Sequence, residues 1–335
     1  MKKLIYLLLA LTVTAFFTAC KSDDEPKDSQ NELTKIDKKN DTALLLVTFG
    51  STYEAPHATF KAMVSKFKAK YPNTDVYLSF TSTTTITRWG AKTKEYFATP
   101  DKWFKAINKA GYKNVYVQSL HVIPGEEFIM LRDYYIKNFK KDMAALAEAG
   151  KPHTEKLYFG MPLLYEKEDI EAVGEALYNL YKKDVEAGTG VAFMGHGNPE
   201  DSYSYANTKY HEVENYLKNK NKNFFVATVD ALDMLAGNYL IPNIKKQLPA
   251  GSSIKLAPMM SIAGDHANND MAGDKDNKAK PEEQSWRVQL SELGYKVPVE
   301  NCVLKGLADY DAILSVWMKH LDKAIKEAEN ILEFE

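Results

Sequence analysis

The stretch Leu120–Glu127 (LHVIPGEE) and its near-repeat Met259–His266 (MMSIAGDH) determine the fold of this chain. Each directly follows a short apolar run that is typical of a buried parallel strand. Open α/β sheets carry their ligand sites at the carboxyl ends of such strands. Aligning the two glycines places Glu127 opposite His266. The repeat therefore predicts two similar halves with a site between their strand ends.

Short apolar runs alternate with amphipathic helical patterns from residue 43 to the C-terminus. This alternation predicts parallel sheets covered by helices on both faces. The first strand of each half ends in a glycine turn, Phe49-Gly50 in the first half and Gly195-His196-Gly197 in the second. We therefore predict the α/β class, with two Rossmann-like parallel-sheet domains and a central cleft.

The predicted domains are residues 43–160 and 161–335, and the C-terminal helix can pack back on the N-terminal domain. Within them, the patterns predict uninterrupted helices over 127–149 and 232–247. The loop 268–283 directly follows His266; loops of this length beside a site often act as lids, and disorder is the alternative.

Residues 1–20 have the pattern of a lipoprotein signal peptide. Lys2 and Lys3 precede the apolar stretch Leu4–Phe17, which is short for a membrane span. The small residues before Cys20 predict its lipidation; an ordinary cleaved signal is the alternative. Residues 21–42 are polar and predict a flexible tether. We expect an exported protein, attached to a membrane by a lipid anchor in the periplasm or at the outer membrane.

The composition excludes several classes of function. The formal net charge of −2 gives no electrostatic basis for binding nucleic acid. Neither G-x-G-x-x-G nor G-x-x-x-x-G-K-[ST] occurs, so we expect no nucleotide cofactor. Only three of the 43 basic residues are arginines, Arg88, Arg132 and Arg287, which argues against an arginine phosphate clamp. The 20 tyrosines suit a large flat ligand, and exposed aromatic helix faces allow a homo-oligomer.

Three of the seven histidines follow predicted strands: His121, His196 and His266. Imidazole binds transition metals and titrates near neutral pH. A single histidine at a strand end is usually structural, whereas three predict a metal or acid/base site. The glycines beside them, Gly197 among them, allow positive φ and close approach of a ligand, with a plain tight turn as the alternative.

Acidic and hydroxyl side chains also follow strands. Glu127 can interact with a helix N-terminus, and Asp230 can cap a helix that begins near Leu232. The alignment of Glu127 with His266 favours a role in the site. Ser82, after the second strand, either lines the cleft or caps a helix.

Taken together, these motifs resemble the class II chelatases, in particular the anaerobic sirohydrochlorin cobaltochelatases of cobalamin synthesis. The similarity extends from about Leu44 to the C-terminus. The motifs that carry it are 47–51 (VTFGS), 80–82 (FTS), 118–127 (QSLHVIPGEE), 194–197 (MGHG) and 263–272 (AGDHANNDMA), and the last is the most specific.

The resemblance implies a lyase that inserts a divalent metal into a tetrapyrrole, sirohydrochlorin or a haem-like ring, bound between the domains. It implies Co²⁺ as the substrate metal, with Fe²⁺ or Ni²⁺ as alternatives. His196 and His266 are the implied metal-binding and proton-accepting pair. Asp230 is the implied third ligand, at a position where the family usually has glutamate. The residues expected to line the substrate cleft are Glu127, His121, Ser82, Gly197 and Asp265.

The sequence departs from the family after His196, where Asn198-Pro199-Glu200 replaces a more histidine-rich stretch, and in a longer insert at Lys275–Glu283. The export signal is also unlike that of cytoplasmic members. Export leaves a second function open, that of a cell-envelope lipoprotein that binds haem, another tetrapyrrole or a metal for uptake.

Overall fold

Two parallel β-sheets form the centre of the protein, as seen in a computed structural model that describes residues 34–199 and 203–327. The first sheet has strand order β2-β1-β3-β4 and the second β6-β5-β7. Both sheets thus place the first strand of their half between the second and the third. The strands are β1 (Thr42–Thr48), β2 (Asp75–Phe80), β3 (Asn114–Ser119), β4 (Lys156–Gly160), β5 (Gly190–Gly195), β6 (Phe224–Thr228) and β7 (Ile254–Pro258).

Helices connect the strands and cover the sheets. They are α1 (Glu54–Lys70), α2 (Thr83–Thr93), α3 (Pro100–Lys109), α4 (Glu126–Met130), α5 (Lys137–Glu148), α6 (Lys167–Glu186), α7 (Ser204–Lys220), α8 (Ile241–Gln247), α9 (Trp286–Glu292) and α10 (Asp311–Glu327). Among the described residues, no helix is long and apolar enough to cross a membrane.

The hydrophobic core is continuous between the halves. Leu44 and Leu46 of β1 belong to the same cluster of buried side chains as Val191 and Phe193 of β5. Such strands are buried on both faces, as their uninterrupted apolar sequence predicts. The α10 helix returns to the first half, where the Trp317 indole Nε1 donates a hydrogen bond of 3.1 Å to the His121 carbonyl oxygen. The domain limits at 160/161 remain a prediction.

Two of the predicted long helices are interrupted. The helix predicted over 127–149 contains a π-helical segment, Leu131–Ile136, between α4 and α5. The helix predicted from Leu232 starts later, with a π-helical segment at Ala236–Leu240, because the chain first makes a turn in which Met234 N donates to Ala231 O. Asp230 is therefore not the cap of that helix.

The helix α2 was anticipated only through the possible cap at Ser82 and was not placed by its own sequence pattern, which begins with the threonines at 83–85. β-Branched residues have low helix propensity, so these positions give no clear helical pattern. The structure starts the helix through a cap, since the Ser82 hydroxyl accepts a hydrogen bond of 3.2 Å from Thr85 N.

Candidate active site

A cavity of about 420 Å³ lies between the carboxyl ends of the two sheets. Loops after β1 and β3 line it from the first half, and loops after β5, β6 and β7 from the second. This is the position at which parallel sheets carry their sites. Seven of the eight residues predicted for the site line the cavity: His121, Glu127, His196, Gly197, Asp230, Asp265 and His266.

Ser82 is the exception and corrects the prediction that it lines the cleft. Its hydroxyl is engaged in capping α2, which was the alternative predicted for this residue. Thr81, its neighbour, instead contributes to the site through Glu127.

His196 follows β5 directly, and a glycine turn fixes its position. Gly197 has φ of +81°, and a Cβ atom there would lie 2.7 Å from the backbone nitrogen of Ala231. The His196 Nδ1 atom lies 2.8 Å from the Gly197 carbonyl oxygen. Because a carbonyl oxygen only accepts, Nδ1 carries the proton, and in the neutral ring the lone pair is on Nε2.

His266 is oriented by a carboxylate. Its Nδ1 atom lies 2.6 Å from Asp270 Oδ2, one turn further along the π-helical segment Ala267–Met271. A hydrogen bond from a ligating imidazole to a carboxylate fixes the ring and raises its basicity. Consistent with this, the bond to Asp270 raises the pKa of His266 above its ordinary value, although burial opposes the change.

The two imidazole rings lie edge to face, with 4.9 Å between their centroids and 78° between their planes. Asp230 Oδ2 lies 3.6 Å from His196 Nδ1, but that nitrogen already bonds Gly197. In the described residues, no group of three or more His, Cys, Asp or Glu side chains is placed to hold a metal ion. The site thus presents a pair of imidazoles, with the Asp230 carboxylate near one ring and the Asp270 carboxylate bonded to the other.

Glu127 enters the cavity from the first half. It lies in the first turn of α4, and Thr81 Oγ1 donates a hydrogen bond of 2.9 Å to its Oε2. Burial raises the pKa of Glu127, partly offset by the Thr81 bond. A carboxylate in such an environment holds a proton more readily than one in water.

Side chains from the two halves meet at the cavity. Tyr53, after β1, donates a hydrogen bond of 3.0 Å to Asp265 Oδ1, and Asn269 Nδ2 donates to the same oxygen at 2.9 Å. Elsewhere along the cavity, Asn198 Oδ1 accepts a hydrogen bond of 3.0 Å from Glu126 N. Asp265 therefore links the loop after β1 to the segment after β7 at the edge of the cleft.

His121 is buried at the end of β3. Its Nδ1 atom lies 2.9 Å from the Ser119 hydroxyl, and its Nε2 atom has no partner among the described residues. Burial lowers the pKa of His121 to about 4, so the ring is neutral at physiological pH. These contacts make it part of the cavity floor.

Sequence reasoning missed three residues that complete the site: Asp270, Thr81 and Tyr53. The spacing of Asp270, four residues after His266, was a usable signal, because that separation brings side chains together on a helical turn. Thr81 and Tyr53 act through residues distant in sequence, so no local pattern identifies them.

Comparison with solved structures identifies the fold class. SirB from Bacillus subtilis with Fe³⁺ superposes with a TM-score of 0.54 at 16% identity, covering 88% of this chain and 99% of that one. The Bacillus subtilis sirohydrochlorin chelatase SirB in complex with cobalt gives 0.52 at 15% identity, with the same coverage. The protein thus has the chelatase fold.

Sequence comparison identifies the family. The cobalt chelatase (CbiK) family model matches residues 42–326, and the chain belongs to that family. It is 27% identical over 290 residues to the sirohydrochlorin cobaltochelatase CbiKC of Nitratidesulfovibrio vulgaris, covering 84% of this chain and 90% of that protein. It is also 27% identical over 288 residues to the sirohydrochlorin cobaltochelatase of Salmonella typhimurium, covering 85% and 97%.

These findings confirm the predicted family and the predicted α/β architecture. They support a metal chelatase and do not favour a lipoprotein that only binds haem or metal.

Proposed function

We propose that this protein inserts Co²⁺ into sirohydrochlorin and releases two pyrrole protons for each ion inserted. The observation that carries the proposal is the imidazole pair in the cleft, His196 and His266. Each ring has its Nδ1 atom held by a partner, and neither Nε2 atom bonds a described residue. Two oriented lone pairs beside a cavity suit capture of a divalent transition metal.

The site offers few protein ligands to a metal ion, as expected where the metal is a substrate that must be passed on. A structural site encloses its ion with four protein ligands, whereas a reactive site leaves positions free. Here two imidazoles hold the ion, and the remaining positions stay available to the macrocycle nitrogens. We propose Asp230, whose Oδ2 atom lies 3.6 Å from His196 Nδ1, as a third ligand that joins during delivery, because the described side chains do not form a three-ligand site in this structure. Fe²⁺ and Ni²⁺ suit the same nitrogen ligands and are alternative substrates.

Glu127 is the proposed proton acceptor on the first-half side of the cavity. Metal insertion replaces two N–H protons with one divalent cation, so two protons must leave the macrocycle. Burial raises the pKa of Glu127 above its ordinary value, which makes its carboxylate a stronger proton acceptor. His266, with its pKa raised by Asp270, is the proposed second acceptor once the metal has left it.

We also propose that the protein is exported and anchored in the cell envelope through a lipid on Cys20. This residue and the predicted signal peptide lie outside the described residues, and the proposal rests on the sequence at 17–20. A Cys20→Ser variant tests it. It should appear in the soluble periplasmic fraction, whereas the wild-type protein should sediment with membranes.

The insertion reaction is tested by mixing the full-length protein anaerobically with sirohydrochlorin and Co²⁺, Fe²⁺ or Ni²⁺ in turn. The absorbance of the metallated ring reports the rate. We expect many turnovers per protein molecule with Co²⁺. A single stoichiometric spectral shift without turnover contradicts the proposal and identifies a binding protein.

A further inference from the structure

In the described residues, the cavity lining carries acidic side chains, and its basic groups are the three histidines already described. Of its lining residues that the structure describes, Glu126, Glu127, Asp230 and Asp265 are acidic, and none is lysine or arginine. Sirohydrochlorin carries carboxylates around its whole periphery. Like charges within a partly buried cleft repel strongly. The substrate carboxylates must therefore lie away from these residues, towards the mouth of the cavity.

The helix α2 places one arginine beside that mouth. Thr85, in the first turn, lines the cavity, and Arg88 follows three residues later on the same side of the helix. Arg88 is exposed and makes no hydrogen bond or ion pair with any described residue. Its side chain is long enough to reach a ligand that extends beyond Thr85.

The other two arginines of the chain are already engaged. Arg132 binds both carboxylate oxygens of Asp133, at 2.6 and 2.8 Å. Arg287 donates to the carbonyl oxygens of Ala272 and Gly273, at 3.0 and 3.1 Å, and fixes the segment after His266. The planar guanidinium fork binds carboxylates in a two-pronged geometry that lysine cannot reproduce.

We propose that Arg88 binds a peripheral carboxylate of the tetrapyrrole at the cleft mouth and so positions the ring with its charged edge outward. This inference rests on the proposed function, because it concerns the same substrate. It makes Arg88 a determinant of specificity for tetrapyrroles rich in carboxylates.

The test compares full-length wild-type protein in detergent with Arg88→Gln and Arg88→Lys variants. Cobalt insertion into sirohydrochlorin gives KM and kcat. Fluorescence quenching gives the Kd of two metal-free probes, uroporphyrin with eight carboxylates and mesoporphyrin with two. Arg132→Gln is the matched control, since it removes an arginine outside the cavity lining. Circular dichroism checks that each variant is folded.

We expect Arg88→Gln to raise KM for sirohydrochlorin and Kd for uroporphyrin about tenfold, the loss of one charge-assisted bond. Arg88→Lys should recover part of that affinity, kcat should stay within about twofold of wild type, and Kd for mesoporphyrin should change little. The inference is overturned if Arg88→Gln and Arg132→Gln change KM and Kd equally. It is also overturned if Arg88→Gln leaves the uroporphyrin Kd unchanged.

The two proposals fail in distinguishable ways. If the wild-type protein binds uroporphyrin but inserts no cobalt, the proposed function is wrong. The role of Arg88 is then decided by comparing the uroporphyrin Kd of wild type and Arg88→Gln. Wild-type protein that inserts cobalt, with Arg88→Gln identical in KM and Kd, contradicts the role of Arg88 alone. Wild-type protein that neither binds a probe nor inserts cobalt overturns both.

Discussion

The imidazole rings of His196 and His266 lie 4.9 Å apart at 78°, and a different group orients each of them. The Gly197 carbonyl oxygen holds the first through Nδ1, and the Asp270 carboxylate holds the second. One ring is therefore fixed by a neutral acceptor and the other by a charged one. The charged acceptor raises the pKa of His266 above its ordinary value.

Replacing Asp270 by asparagine should show the effect of this carboxylate on His266 in a pH profile of activity. Protonated imidazole cannot bind metal, so activity rises as the pH passes through the pKa of His266. The bond to Asp270 is the main cause of the raised pKa. Asp270→Asn should therefore move the rising limb to lower pH and reduce kcat by about 10- to 100-fold.

Asp274→Asn is the control for that variant, because Asp274 lies in the same segment but pairs with Arg287. It should keep the wild-type profile. An Asp270→Asn enzyme whose rising limb stays at the wild-type pH would show that Asp270 does not set the basicity of His266.

Glu127→Gln should slow insertion without preventing substrate binding. The amide fills nearly the same space but cannot accept a proton, and loss of a general base typically costs about 10²- to 10⁴-fold. We expect kcat to fall within that range and the Kd for sirohydrochlorin, from fluorescence, to change less than threefold.

Glu126→Gln is the matched control. Its side chain also lines the cavity, but the hydrogen bond of Glu126 to Asn198 comes from its backbone N–H. The substitution should leave kcat within about tenfold of wild type. If the two variants lose activity equally, the proton acceptor is not Glu127.

Gly197→Ala should damage both the fold and the site. A Cβ atom at this position would meet backbone at 2.7 Å and would also strain a φ of +81°. We expect the free energy of unfolding to fall by about 3 kcal/mol, measured by urea denaturation. His196 should shift with the turn, so cobalt insertion should fall as well.

The control variant Gly188→Ala separates the cost of backbone strain at positive φ from the cost of a steric clash of the new Cβ atom. Gly188 has φ of +86°, and a Cβ atom added there would have no neighbouring atom within 4 Å, so only strain remains. Its expected cost is about 1 kcal/mol. Equal destabilisation by the two alanines would mean that the turn around His196 tolerates a side chain.

His121 should contribute a specific pH dependence to stability. Its pKa in the folded state, about 4, lies below the ordinary 6.5, because burial disfavours the charged ring. The folded state therefore favours the neutral form. The resulting stability is complete above pH 6.5 and is lost as the pH falls towards 4, by about 3 kcal/mol in total.

The measurement is the free energy of unfolding at several pH values between 4 and 7.5, for wild type and His121→Gln. The variant is expected to be less stable at neutral pH, with a flatter dependence. His153→Gln, in a loop outside the site, is expected to keep the wild-type slope. Parallel curves for wild type and His121→Gln would show that His121 titrates normally in the folded protein.

The architecture could be predicted because its signals are local and repeated. The apolar run at Leu44–Val47 requires a strand buried on both faces, and the two Gly-acid loops follow the third strand of each half. The common strand order of the two sheets explains why aligning the loops brought Glu127 and His266 to one cavity.

The parts that could not be predicted depend on contacts between segments distant in sequence. Thr81 reaches Glu127 across 46 positions of the chain, and Tyr53 reaches Asp265 across 212. No periodic pattern in the sequence identifies such pairs. The α2 helix was anticipated only through the possible cap at Ser82, because the threonines that follow have low helix propensity and give no helical pattern of their own.

The most direct test of the central claim is the rate of cobalt insertion into sirohydrochlorin by His196→Ala, His266→Ala and the double variant, measured anaerobically against wild type and His153→Ala. If the two imidazoles deliver the metal as one unit, each single variant should lose at least about 100-fold in kcat, and the double variant should lose little more. His153→Ala should match wild type. Insertion at the wild-type rate by either single variant would contradict the claim that His196 and His266 form the metal-delivering pair.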